Sequence, residues 1–308
     1  MIDIYKKAVG HEQLQKLEGF EVGSWINLTT PTDEEIRQIS ELTNVERDVL
    51  ISTRDPDERP RVEREKPYVS IVFRIPLFET DEFVVIPIHI IVTQKYVVTI
   101  SSHRNAVLED LIGLNVKKFF TTKRTRMVVQ IFSRTNQYFQ RYLDQIQKAI
   151  ENMEESILWS SKNQEIMRLL KFQKDLIYIS TAVVSNEKVI EKILTGKILQ
   201  LYKEDTDLLE DILIENKESI ETVNIYSNIL SNTMDAYASI ISNNLNIVMK
   251  FLATVTIILA IPTIVASFYG MNVSLPFQRY PHAFWLTLLF SAAAMLFAVL
   301  VFNKKKFF

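Results

Sequence analysis

Hydrophobic and polar positions fall into three regimes along the chain. Between residues 67 and 101 the apolar runs are short: PYVSIVFRIPLF, EFVVIPIHIIVT and KYVVTIS are rich in Val, Ile and aromatics and are broken by turn residues, which predicts strands. An earlier strand is expected at SWINLT, followed by TTPTDEEIRQISEL, where Thr30 or Thr32 caps a helix with an acidic first turn. From about residue 104 the period becomes helical. Residues 124–160, 163–195 and 203–249 contain no proline and predict three long helices. The third meets no stop signal, so 205–269 reads as one continuous helix.

Two stretches then lose all charge. FLATVTIILAIPTIVASFY (251–269) and AFWLTLLFSAAAMLFAVLVF (283–302) each match the roughly 20 apolar residues that a helix needs to cross a bilayer. Two such runs in tandem favour membrane spans over buried core helices. Lys250 precedes the first span and NKKKFF follows the second, while the loop between them holds only Arg279 and His282 as basic side chains. The positive-inside rule therefore predicts a multi-pass cell-membrane protein with both termini in the cytoplasm and a short outer loop. Tyr269, Tyr280 and Trp285 sit where an aromatic belt would lie. The expected organisation is an α/β cytosolic domain (1–120), long cytosolic helices (121–204), a stalk helix continuing as the first span (205–269), an outer loop (270–282), a second span (283–303) and a basic tail (304–308).

Charge and composition narrow the function. No Asp or Glu follows residue 250, so all 37 acidic residues and 31 of the 35 basic ones precede it, a formal charge of −6 on that part. This argues against a nucleic-acid partner. The chain has no cysteine, which removes disulfides and thiolate metal sites and suits a cytosolic soluble part. The start of the chain has no apolar core of the kind found in a cleavable signal peptide. His11, His89, His103 and His282 are scattered without metal-ligand spacing, and His89 alternates with apolar residues as a structural strand residue would. No P-loop, glycine-rich fingerprint or nucleophile elbow is present, so neither an enzyme nor a catalytic cofactor is expected.

The most informative pattern is a polar stripe on the last long helix. Steps of four and three residues from Asn228 pass through Asn232, Asp235, Ser239, Ser242, Asn246, Met249, Ala253, Thr256, Ala260, Thr263, Ser267 and Gly270. That is one helix face at a 3.5-residue repeat. Flanking positions such as Leu230, Ile241, Leu245, Leu252 and Leu259 are apolar. A coiled-coil seam would be apolar; this face is small and polar. It fits parallel helices around a wet axis, or a small-residue packing face between membrane helices. Within the span the two readings weigh equally. The asparagines and Asp235 on the same face favour the pore, because a dry seam would have to satisfy them.

YGMN at 269–272, closing the first of two C-terminal spans before a short loop and a Lys-rich tail, resembles the CorA family of magnesium transporters. WINLTTPTDEEI (25–36) and DPDERPRVE (55–63) resemble that family's N-terminal domain, so the resemblance covers essentially the whole chain. It implies a homopentamer with an α/β funnel, a stalk helix lining the pore and second spans forming an outer ring. It implies transport of Mg2+, with Co2+ or Ni2+ as further cargo. Gly270, Met271 and Asn272 would form the outer ion site: Gly270 ending the helix and turning carbonyls to the axis, Met271 packing the loop, and Asn272 offering a neutral carbonyl to hydrated Mg2+, which sheds water reluctantly. Met249 with Leu252 would form an apolar constriction. Asp211, by its distance from GMN, matches the family's regulatory acid, with Asp81 or Glu82 of a neighbouring subunit as its partner around a regulatory Mg2+. The outer loop VSLPFQRYPHAF departs from the family in having no acidic residue. Two alternatives stand beside this reading: a zinc transporter of the ZntB type, disfavoured by the Met of GMN and by the lack of cysteine and clustered histidine, and a non-conducting membrane ion sensor, disfavoured by the polar stripe through the span.

Overall fold

The computed structural model describes residues 1–11, 13–79, 82–113, 119–157, 163–277 and 281–305. They form two compact units, Met1–Asn232 and Thr233–Phe308. In the first unit a seven-stranded sheet is built from β1 (Ile2–Lys6), β2 (Gln15–Leu17), β3 (Trp25–Thr29), β4 (Arg61–Glu65), β5 (Tyr68–Glu79), β6 (Glu82–Val92) and β7 (Val97–Ser101), in the order β2-β1-β3-β7-β6-β5-β4. All neighbours are antiparallel except β3 and β7, which run parallel with Ile26 opposite Val98.

Successive residues of a strand point to opposite faces, and here both faces are covered. Ile26, Leu28, Ile91, Val98 and Ile100 pack with Ile36, Ile39 and Leu50 from α1 (Asp33–Thr43) and α2 (Arg47–Ile51). On the other face Trp25, Phe73, Ile75, Ile88, Ile90 and Val97 meet α3 (Ala106–Gly113), α4 (Arg124–Ile157), α5 (Asn163–Leu194) and the start of α6 (Lys203–Tyr269). Burial on both sides is why the central strands read as near-continuous apolar runs. Phe73 stacks on Phe132 of α4 with ring centroids 4.1 Å apart. The long helices therefore share one core with the sheet, through Val128, Phe132, Val189, Ile190, Leu209 and Ile212.

The choice between the two threonines ahead of α1 is resolved by geometry. Thr32 is the cap: its hydroxyl accepts from the Glu35 N–H, and the Glu35 carboxylate accepts from the Thr32 N–H at 2.9 Å, a capping box. Thr30 has a left-handed φ of 45° and donates its hydroxyl to the Ser102 carbonyl at 2.8 Å. His89 is fully buried in β6, with Nε2 2.6 Å from the Ser70 hydroxyl and Nδ1 3.4 Å from that of Ser52. Burial, with the Arg61 charge adding to it, pushes its pKa down to about 3. It is a neutral structural group.

The helix expected over 205–269 is α6, Lys203–Tyr269, a single helix of 67 residues with Pro262 inside it. Its C-terminal part and α7 (Ala283–Lys304) make up the second unit, and both are long and apolar enough to cross a membrane.

Candidate functional site: the polar face of α6 and the turn that ends it

In the second unit each helix has one stripe that is less exposed than the rest. On α6 the shielded side runs through Thr254, Ile258, Ile261, Val265 and Tyr269; on α7 it runs through Thr287, Ser291, Ala294 and Ala298. Thr254 is 1 % exposed and Ser291 9 %. Both are small, and their hydroxyls donate to their own helices, Thr254 to the Lys250 carbonyl and Ser291 to that of Thr287, each at 2.8 Å. Small, internally satisfied residues let two helices approach without a hydrophobic drive. Sequence reasoning missed these two positions; a Thr and a Ser inside otherwise apolar runs were the available signal.

The shielded side lies opposite the polar stripe. Thr256 is two residues from Thr254, about 200° around the helix. Within the protomer Asp235, Ser239, Ser242, Asn246, Met249, Thr256, Thr263 and Ser267 are all exposed, and Ala260 is half-buried. So the stripe is bare within the protomer. Its flank, including Leu252 at 57 % exposure, is bare as well. The chemistry of the face is that of acceptors. Ser239 donates to the Asp235 carbonyl, Thr256 to Leu252 and Thr263 to Leu259. A hydroxyl that gives its proton to the preceding turn keeps its lone pairs free outward. Such a face accepts hydrogen bonds from the waters of a cation.

The helix ends at the YGMN turn. The Gly270 N–H reaches the carbonyls of Ala266 at 3.0 Å and Ser267 at 3.2 Å, and the Met271 N–H reaches that of Phe268 at 3.2 Å. The last turn thus tightens. As expected, α6 ends just before Gly270; it does so without a left-handed φ at Gly270, where a Cβ would meet only ordinary contacts at 3.4 and 3.5 Å. Met271 is 48 % exposed, so the packing role expected for it is not met within one protomer. Asn272 is exposed, and its carboxamide makes no hydrogen bond among the described residues. The Tyr269 hydroxyl donates to the Pro276 carbonyl at 3.3 Å, tying the loop back to the helix end. Arg279 and Tyr280 lie outside the described residues.

In the first unit Asp211 is exposed on α6. One turn on, Glu215 is partly buried and its Oε2 has no hydrogen-bond partner among the described residues. Burial first, then the negative charges of Asp211 and Glu218, raises its pKa. Glu215 was not singled out from the sequence, although it follows Leu208 and Ile212 on the face that α6 turns to the core. Of the two candidate partners for Asp211, Asp81 lies outside the described residues, and the Glu82 backbone is paired with Glu79 at the first position of β6. Among the described residues no three His, Asp or Glu side chains within one chain come together as a metal site.

Comparison with known proteins places the whole chain. The family model described as CorA-like Mg2+ transporter protein matches residues 21–305. A cobalt/magnesium transport protein CorA of Methanocaldococcus jannaschii is 27 % identical over 291 residues, 91 % of this chain and 90 % of the relative. The complete structure of the CorA magnesium transporter from Methanocaldococcus jannaschii superposes with a TM-score of 0.86 at 24 % identity, over 98 % of this chain and 97 % of that one. The ZntB cytoplasmic domain from Vibrio parahaemolyticus shares the fold more distantly, with a TM-score of 0.63 at 13 % identity over 78 % of this chain and 98 % of that domain. An α/β unit, an unbroken helix running from it into an apolar hairpin, and a family match from residue 21 to residue 305 lead to one conclusion: this chain is a membrane protein belonging to the CorA-like family of divalent-cation transporters.

Proposed function

We propose that the protein is a channel-like Mg2+ transporter, taking Co2+ or Ni2+ as further cargo, in which several copies, five by family resemblance, set their α6 helices around a common axis. The observation that carries this is the exposure, within the protomer, of the side of α6 opposite buried Thr254. This acceptor-bearing face runs from Asp235 to Ser267 and ends at Asn272, whose carboxamide makes no hydrogen bond among the described residues.

The mechanism follows from the ion. Mg2+ holds its hydration shell tightly and favours oxygen. At the mouth, a ring of Asn272 carbonyls accepts hydrogen bonds from that shell, binding the ion without the slow release that a carboxylate ring would impose. Below it, hydroxyls whose protons are committed to Leu252 and Leu259 offer lone pairs to the moving waters. Met249 and Leu252 narrow the path with apolar surface, which closes by losing water. Both termini face the cytoplasm. The hydroxyl and carboxamide oxygens of the lining and the absence of cysteine favour Mg2+ over zinc.

Feedback enters through the acids of the stalk. The first 250 residues carry a formal −6, so packing several copies around an axis is repulsive. Asp211 is an exposed carboxylate one turn before Glu215, an oxygen donor of the kind that suits a hard cation. Mg2+ shared between Asp211 and an acid of the neighbouring subunit, Asp81 or Glu82, offsets the repulsion and holds the closed state. Loss of cytosolic Mg2+ then frees the pore.

The test is Mg2+ flux into liposomes holding only this protein. Asn272→Ala is expected to abolish flux while cross-linking still traps the wild-type oligomer. Undiminished flux in that variant removes Asn272 from the ion path.

A further inference from the structure

A cleft of about 1220 Å3 opens in the first unit, far in sequence from the stripe. Four segments converge on it: the β4–β5 turn at Lys66, the β6–β7 turn at Gln94, residues 120–126 entering α4, and residues 198–205 entering α6. Its lining carries six basic side chains, Arg64, Lys66, Lys123, Arg124, Arg126 and Lys203, against three acidic ones, Glu65, Glu204 and Asp205. This is a cationic island on a domain whose overall charge is negative.

The basic groups divide by what holds them. Arg126 is spent on Asp205 at 3.0 Å. Arg64 and Arg124 donate to the backbone carbonyls of Lys197 and Gln94, which orients the guanidiniums without cancelling their charge. Lys66, Lys123 and Lys203 have no carboxylate partner within salt-bridge distance among the described residues; Lys123 rests over the Phe120 ring at 5.8 Å. Two long helices, α4 and α6, begin at the cleft, so the positive ends of their dipoles add to the field. At its edge Tyr202 is 66 % exposed, an aromatic face available for stacking.

We propose that this cleft binds a polyphosphate anion of the size of a nucleoside triphosphate. Each phosphate carries about one to two negative charges near neutral pH, matching several fixed cations at once. The volume exceeds that of a single phosphate and suits a drug-sized ligand. Mg2+ on the phosphate chain cancels two of those charges, so the cleft prefers the metal-free form.

Titration calorimetry on the detergent-purified full chain at low salt, with ATP, inorganic triphosphate and adenosine as probes, tests this. Both phosphates are expected to bind and adenosine to fail. ATP tighter than triphosphate, with the gap closed by Tyr202→Ala, identifies a nucleotide; equal affinities identify the phosphate chain alone. Lys66→Glu, Lys123→Glu and Lys203→Glu together should weaken binding by about tenfold or more, while exposed Lys188→Glu leaves it unchanged. Excess Mg2+ should weaken ATP binding. In the unsubstituted protein, ATP should shield Lys66, Lys123 and Lys203 from amine acylation read by mass spectrometry. No binding at about 5 mM triphosphate, a value beyond ordinary ligand affinities, overturns the proposal. So does a loss in Lys188→Glu equal to that in the cleft variant, or acylation of the three lysines unchanged by ATP.

Discussion

Single cysteines placed on three sides of α6 separate a water-lined face from one that merely packs. The chain has no cysteine of its own, so each substitution reports alone. Exposure in one protomer distinguishes only one of the three sides: Thr254 is 1 % exposed, whereas Leu259 is 63 % exposed and Thr256 is exposed as well. Whether the outer two meet water or lipid depends on the assembly. Only the thiolate reacts with a methanethiosulfonate reagent. An ordinary thiol has a pKa of about 8.5, so roughly a tenth is thiolate at pH 7.5. Apolar surroundings raise that pKa by about two to three units, and each unit removes a factor of ten in thiolate. A charged, lipid-insoluble reagent should therefore modify Thr256→Cys at least about 100-fold faster than Leu259→Cys or Thr254→Cys. Ser239, Asn246, Met249 and Thr263 should behave like Thr256, and Leu245 like Leu259. The assay is the second-order rate in reconstituted protein, followed by mass shift and by block of Mg2+ flux. Leu259→Cys reacting as fast as Thr256→Cys, or all sites reacting equally slowly, refutes a pore lined by this face.

Three further outcomes are expected. Phe132→Ala, at a site with no exposure and stacked on Phe73, should cost about 3–5 kcal/mol in unfolding of the first unit; its double-mutant cycle with Phe73→Ala should show a coupling of about 0.5–1.5 kcal/mol, and a coupling near zero would mean α4 and the sheet are not one core. The folded pKa of His89 is lowered, so folding opposes its protonation and its stability contribution is complete above the unfolded pKa; it falls by about 1.4 kcal/mol per pH unit below about 6.5, down toward about 3, a slope that His89→Gln should remove when the unfolding of buried Trp25 is followed by fluorescence. Millimolar Mg2+, typical for weak carboxylate sites, should protect the wild-type protein from limited proteolysis and leave Asp211→Ala less protected; equal protection removes Asp211 from the switch.

Hydropathy and period are properties of neighbouring residues, so whatever rests on them was legible along the chain. The two uncharged runs became the apolar part of α6 and α7. WINLT and VVTIS became β3 and β7. The absence of any stop between 205 and 250 became an unbroken helix of 67 residues. The stripe could be drawn from spacing alone, because a helix fixes which residues share a face.

Other features depend on segments distant in sequence, and only the tertiary structure decided them. Thr32 rather than Thr30 caps α1, because the Ser102 carbonyl takes the Thr30 hydroxyl. The long helices join the sheet in one core because Phe132 meets Phe73 across more than fifty residues of chain. Glu215 is partly buried because it lies on the side of α6 that Leu208 and Ile212 turn to the core. The basic cleft exists only where two strand turns and two helix starts come together; no local window contains it. The exposure of the stripe also belongs to the tertiary structure. Within the span, spacing left it equally a packing seam or a wet face, with the asparagines and Asp235 favouring the wet one; in the protomer Thr254 is buried and the opposite side of α6 is uncovered. A helix's own sequence determines which residues share a face, but what that face meets is set by the element that packs against the other side.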